Sequence, residues 1–181
     1  MNWNDYLAHN VAAASNLDSE NLEKFSKALI RTRELGKKVW ILGNGGSAST
    51  AAHAVVDFAK TVKNFGGRPL FVIAPSESTA LQTAYANDES FEVAFASTLE
   101  PFLEQDDLVW IISVSGKSPN LITAISKSKE KGAVVAATVG VAGRYLESEI
   151  DICITVPSAD YQVVENIHIM IMHWLTKNLG Q

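Results

Sequence analysis

The chain has 181 residues, 47% of them hydrophobic, enough for one domain with a full core. Its formal net charge of -5 excludes a general electrostatic attraction to nucleic acid and leaves open only a local basic patch. No apolar run approaches the ~20 residues that span a bilayer, and the start Met1-Asn2-Trp3-Asn4-Asp5 lacks the basic and apolar pattern of a signal peptide. A cytoplasmic protein with neither nucleic acid nor membrane as partner is expected.

Trp3, Tyr6, Leu7, Val11 and Ala14 recur at helical spacing. After the break at Asn16-Leu17-Asp18-Ser19, residues Leu22, Phe25, Leu29 and Ile30 line a second helix that ends near Gly36. Two helices before any strand exceed what a plain nucleotide-binding unit needs, so at least one is expected to pack against another subunit. Residues 38–43, with Val39-Trp40-Ile41-Leu42, read as a buried strand. The turn Gly43-Asn44-Gly45-Gly46-Ser47 and a helix to about Val62 follow. Asn64 to Pro69 is a loop, Leu70 to Ile73 a second strand, and Pro75-Ser76-Glu77-Ser78 opens a short helix that breaks at Asn87-Asp88-Glu89-Ser90. Phe91, Phe95 and Leu99 then recur at spacing four. A third strand at 107–112 runs into Ser113-Val114-Ser115-Gly116-Lys117-Ser118, followed by a helix from Pro119 to Lys131. Strands at 134–139 and 150–156 and a long helix at 162–178 complete the chain.

Near-continuous apolar strands alternating with helices predict an α/β fold with a parallel sheet covered on both faces. With no linker, repeat or low-complexity segment, one domain over 1–181 is expected, with N-terminal helices at 1–36 and an α/β core at 37–181. The only cysteine, Cys153, cannot form an internal disulfide and reads as a buried, inert thiol.

Two turns carry polar chemistry, and both follow strands, where ligands bind in open α/β sheets. Gly43-Asn44-Gly45-Gly46-Ser47 matches neither the dinucleotide fingerprint nor the P-loop, and alone it is compatible with a purely structural turn. Three hydroxyls at Ser113, Ser115 and Ser118 go beyond the single serine that helix capping needs. Hydroxyls and free helix N–H groups bind phosphate with little cationic charge, so the pair of turns points to a phosphorylated small ligand. His53 and Asp57, four residues apart, share a helix face. Glu165 and His173 lie about 80° apart around the last helix, whereas His168 points more than a third of a turn away from His173. His53, Asp57, Glu165 and His173 would suit zinc or a similar ion, or could serve as general base and acid; a hydrogen-bonded core histidine is the plain alternative.

Gly43-Asn44-Gly45-Gly46-Ser47-Ala48, His53, Asn87-Asp88, Ser113 to Ser118 and Glu165-Asn166-Ile167-His168 with His173 together resemble the sugar isomerase (SIS) domain, and more narrowly its phosphoheptose isomerase branch. The resemblance covers essentially the whole chain. It implies a three-layer α/β/α sandwich around a five-stranded parallel sheet, and a homotetramer with sites at subunit interfaces. It also implies a phosphosugar aldose–ketose isomerase, acting on sedoheptulose 7-phosphate through an enediol. The family's zinc site maps onto His53, Asp57, Glu165 and His173, and its catalytic pair onto Asp57 and His173. Phosphate contacts map onto Ser47, Ser113, Ser115 and Ser118, with Asn44 and Asp88 near the sugar.

The chain also departs from the family pattern. Asp57 stands where the family has Glu, Glu165 where it has Gln, and Ala52 where Gln usually precedes the metal histidine. Thr61 aligns with a family basic residue, with Lys60 and Lys63 nearby. The competing reading is a non-catalytic SIS protein that binds a phosphosugar or a replication initiator; carboxylates at both partner positions beside His173 weigh against it.

Overall fold

The computed structural model describes residues 1–180. Two helices, α1 (Trp3–Ser15) and α2 (Ser19–Glu34), precede β1 (Lys38–Leu42), α3 (Gly46–Ala59), β2 (Phe71–Ile73), α4 (Thr79–Asp88), α5 (Ala94–Leu99), β3 (Leu108–Ser113), α6 (Pro119–Glu130), β4 (Val134–Gly140), β5 (Ile152–Val156) and α7 (Tyr161–Asn178). Acidic and amide caps start α1, α2 and α7. Asn2 and Asp5 form a reciprocal capping box at α1, and Asp18 and Asp160 each accept two backbone N–H bonds at α2 and α7.

All five strands are parallel, in the order β2-β1-β3-β4-β5. The strand runs are apolar almost throughout because both faces are covered. Val39, Ile41, Trp110, Ile112 and Ile154 meet α2, α3 and α7, while Leu42, Val109, Ile111, Val135 and Cys153 meet α5, α6 and the 3₁₀ stretch Val141–Ser148. Trp110 anchors the first layer. Phe25 meets it edge-on at 5.2 Å, Phe58 stacks at 6.1 Å, and its indole N–H donates to Thr138 Oγ1 at 3.2 Å. Cys153 is buried, and desolvation pushes its thiol up to about 11, so it stays an inert thiol at neutral pH.

α2 covers the sheet through Phe25 and Leu29, whereas α1 rides on α7, held by Asn166 Nδ2 donating to Tyr6 Oη (2.6 Å) and to Asn10 Oδ1 (3.0 Å). The outer stripe of α1, Trp3, Leu7 and Val11, is 70%, 48% and 56% exposed. No helix among the described residues is long and apolar enough to cross a membrane.

Some boundaries differ from the sequence pattern. α3 ends at Ala59 rather than near Val62. Lys60 leaves helical geometry, a 3₁₀ turn over Thr61–Phe65 follows, and Gly66 at φ +87° stops it. Leu70 falls outside β2 because its N–H bonds the carbonyl of Phe58 instead of a strand. Phe91 lies before α5 and is exposed.

His168 is buried, and neither ring nitrogen has a hydrogen-bond partner among the described residues. Burial pushes its pKa down to about 3. Above about 6.5 both folded and unfolded chains hold it neutral, and the group adds no pH dependence. Below that the unfolded chain takes up a proton that the folded chain refuses, so stability falls by about 1.4 kcal/mol per pH unit as pH drops toward the folded value. Urea unfolding at neutral and at mildly acidic pH should therefore show a smaller acid loss for His168→Leu than for wild type; equal losses would remove this histidine from the acid response.

Candidate active site

In the order β2-β1-β3-β4-β5 the chain leaves β1 toward β2 on one side and resumes with β3 on the other, which opens a crevice at the carboxyl ends of β1 and β3. Both polar turns sit there. Gly45 precedes α3 at φ +54°, a conformation that disfavours any residue with a Cβ. Gly43 is required for close approach to backbone, whereas at Gly46 it is the end of the Glu165 side chain that comes near. A Cβ at Gly43 would lie 2.7 Å from the Ser47 backbone, and one at Gly46 would lie 2.6 Å from Glu165 Oε1. Ser47 is buried in the first turn of α3.

The serine turn is wired to present donors. The Gly116 N–H donates to Ser113 Oγ (3.0 Å) and the Lys117 N–H to Ser115 Oγ (3.2 Å), which leaves each hydroxyl proton free for an anion. Ser118 occupies the cap position of α6, yet its side chain makes no capping bond, so capping does not account for it. Gly116 takes φ +66°, and the Tyr145 hydroxyl donates to its carbonyl at 2.6 Å, fastening the turn to the 3₁₀ stretch Val141–Ser148. Desolvation, then the Glu149 charge, raises the Tyr145 pKa and keeps that hydroxyl a donor.

Asn44 lines a cavity of about 240 Å³ with Ser76, Gln82 and Asn120. Asp88, at the exposed end of α4, accepts from Asn87 Nδ2 at 2.9 Å and is not part of that lining.

The second cluster forms between α3 and α7. Asp57 Oδ1 lies 3.9 Å from His53 Nε2, and Asp57 Oδ2 lies 3.8 Å from His173 Nε2. The two imidazoles meet edge to face at 5.1 Å. One ligand atom from each of the three residues falls within 4.8 Å of the others. Asp57 is 7% exposed, and among the described residues the only hydrogen-bond contact of its carboxylate is the Thr176 hydroxyl at 3.4 Å, whose shorter bond of 2.9 Å goes to the Met172 carbonyl. A buried carboxylate so poorly hydrogen-bonded, faced by two imidazoles, suits a cation between them. Metal–ligand bonds of about 2.0–2.2 Å would set the three donors about 3.4 Å apart, so side chains whose ligand atoms lie within 4.8 Å would draw together to hold an ion. Two imidazoles and one carboxylate leave a fourth position open, as catalytic divalent-metal sites do. Both histidine side chains are about half exposed, so the cluster opens to the surface.

Glu165 stands apart from this trio. α3 and α7 run side by side in the same direction, with Gly46 against Glu165 and Asp57 against Thr176 and His173. The eight residues from Glu165 to His173 rise ~12 Å along the helix. Glu165 therefore places its carboxylate at the start of α3, where the helix dipole favours it. It does not join the trio within this chain.

The SIS domain profile matches residues 2–140, and the chain belongs to the SIS domain family. Relatives within that family include phosphoheptose isomerases. The enzyme of Helicobacter pylori is 34% identical over 94% of this chain and 90% of its own length, and phosphoheptose isomerase 1 of Campylobacter jejuni is 31% identical over 99% and 95%. The solved phosphoheptose isomerase of Francisella tularensis superposes with a TM-score of 0.91 at 27% identity, over 98% of this chain and 96% of that one. The five-stranded parallel α/β/α architecture and the SIS resemblance expected from the motifs are both borne out.

Two supporting residues escaped the sequence reading. Tyr145 sits in a segment with no strand or helix periodicity, and Asn120 follows a proline at a helix start, where an asparagine reads as local capping.

Proposed function

We infer that this protein is an aldose–ketose isomerase that interconverts sedoheptulose 7-phosphate and a heptose 7-phosphate. The observation that carries the reading is the convergence of His53 and Asp57 from α3 with His173 from α7, in a chain related to phosphoheptose isomerases along almost its whole length. A non-catalytic, sugar-sensing role would leave that trio without a use.

Ser47, Ser113, Ser115 and Ser118 hold the phosphate, with Asn44 and Asp88 toward the sugar hydroxyls. Asp57 and His173 form the acid–base pair. In the ketose-to-aldose direction the pair removes a proton from C1, the C1–H electrons become the C1=C2 bond, and the C2 carbonyl oxygen takes up a proton. The enediol then loses its O1 proton as the C1 carbonyl forms, and C2 gains a proton. Nothing is oxidised overall and no co-reactant is consumed. A divalent ion held by His53, Asp57 and His173, zinc by the donor type, would polarise the carbonyl.

Along α3 the glycine turn and His53 are seven residues, ~10 Å, apart, and none of the trio lines the cavity beside the turn. We therefore place the reaction between the phosphate cradle of one subunit and the His–Asp–His cluster of another. The assembly is a homotetramer whose contacts include the outward Trp3, Leu7 and Val11.

The test is turnover of sedoheptulose 7-phosphate, followed as appearance of the aldose. Dialysis against a chelator should lower the rate by roughly 100-fold or more, and zinc should restore it. No turnover with or without zinc would sink the isomerase reading; a chelator-insensitive rate would remove the metal from it.

A further inference from the structure

Asn120 is 1% exposed, yet it carries an amide. That amide is satisfied by one partner in both directions: Asn44 Nδ2 donates to Asn120 Oδ1 at 3.0 Å, and Asn120 Nδ2 donates to Asn44 Oδ1 at 3.0 Å. Asn44 belongs to the turn after β1, and Asn120 to the first turn of α6 after β3. The pair therefore bridges the two sides of the crevice where the strand order reverses, and both residues line the 240 Å³ cavity beside it.

Resting on the isomerase reading above, we propose that Asn120 is a positioning residue that fixes the Asn44 amide for the sugar. The reciprocal bond couples the two orientations. Turning Asn44 alone by 180° about its amide axis would set oxygen against oxygen and N–H against N–H, so the two amides can turn only together and Asn44 is held to the orientation of the buried Asn120. Each amide uses one donor and one acceptor in the pair, and Asn44 keeps one N–H and one lone pair for a ligand. Without Asn120 the Asn44 amide rotates freely, and a contact that must be aligned before reaction is held only part of the time.

The same bridge sets the separation of the glycine and serine turns. The contribution of Asn120 through Asn44 is therefore separated from a general tightening of the crevice by a double-mutant cycle. Asn44→Ala, Asn120→Ala and the double variant are compared with wild type by kcat/KM for sedoheptulose 7-phosphate and by unfolding midpoint. Asn120→Ala should lower kcat/KM roughly 10-fold, within the range of a lost, well-aligned hydrogen bond. In the Asn44→Ala background it should cost no further activity. Asn120→Asp keeps the volume and the acceptor for Asn44 Nδ2 but sets a carboxylate oxygen against Asn44 Oδ1, so it should lower kcat/KM at least as far as Asn120→Ala, a loss that can be read even if the alanine variant folds poorly. Losses that multiply in the double variant, or an Asn120→Ala rate equal to wild type, would overturn the assignment. Should wild type bind but not isomerise this sugar, the function fails separately. The same cycle read as the Kd of sedoheptulose 7-phosphate then decides the role of Asn120.

Discussion

Replacing His173 with alanine should lower kcat for sedoheptulose 7-phosphate by roughly 1,000-fold or more, because one change would remove both the proposed proton-transfer group and a proposed metal ligand. Its side chain is 49% exposed and its 3.8 Å approach to Asp57 is longer than a hydrogen bond. Truncation at such a surface site costs about 0.5 kcal/mol or less, so the unfolding midpoint should stay close to wild type. Asp57→Asn extends the test from the other side of the cluster. It keeps the volume of a buried residue and removes the charge that faces both imidazoles. Zinc titration of the three proteins should give tight binding for wild type and weakening of roughly 100-fold for each variant. A His173→Ala protein that isomerises at the wild-type rate would refute the assignment; one that is inactive but binds zinc as tightly as wild type would confine the histidine to acid–base work.

The strands were legible because a sheet covered on both faces demands uninterrupted apolar runs, and 39–42, 108–112 and 134–139 supply them. Their spatial order was not, since nothing in the local pattern says that β3 pairs with β1 on the side opposite β2. At the serine turn the sequence could count hydroxyls but not assign them. Capping and anion binding ask for the same residue type, and only the absence of a capping bond at Ser118 separates the two. On α7 the sequence placed Glu165 and His173 on one face two turns apart, but not which part of α3 each would meet, and the packing carries Glu165 to the start of α3. An angular argument turned His168 away from His173, and the structure buries it. Asn120 was invisible because its partner lies 76 residues away.

Replacing Asp107 with alanine should have the opposite signature, a loss of about 3–5 kcal/mol of stability with the activity of the remaining folded protein unchanged. Asp107 is fully buried just before β3, at the end of the sheet away from the two polar turns. Its carboxylate accepts from the Lys38 N–H at 2.9 Å, from the Trp40 indole N–H at 3.1 Å and from the Glu104 N–H at 3.1 Å, with the Lys38 ammonium 3.8 Å away. Those donors belong to the start of β1, its inward-facing tryptophan and the turn that feeds β3, so one side chain registers two neighbouring strands. Alanine would strand all three in a region that water does not reach. Asp107→Asn is no remedy, because the new NH₂ group would face donors on at least one side. Urea unfolding gives the stability, and kcat/KM per mole of folded protein gives the activity. A stable Asp107→Ala protein would mean that the three donors find other partners. A folded but inactive one would mean that the amino end of the sheet controls the geometry at its carboxyl end.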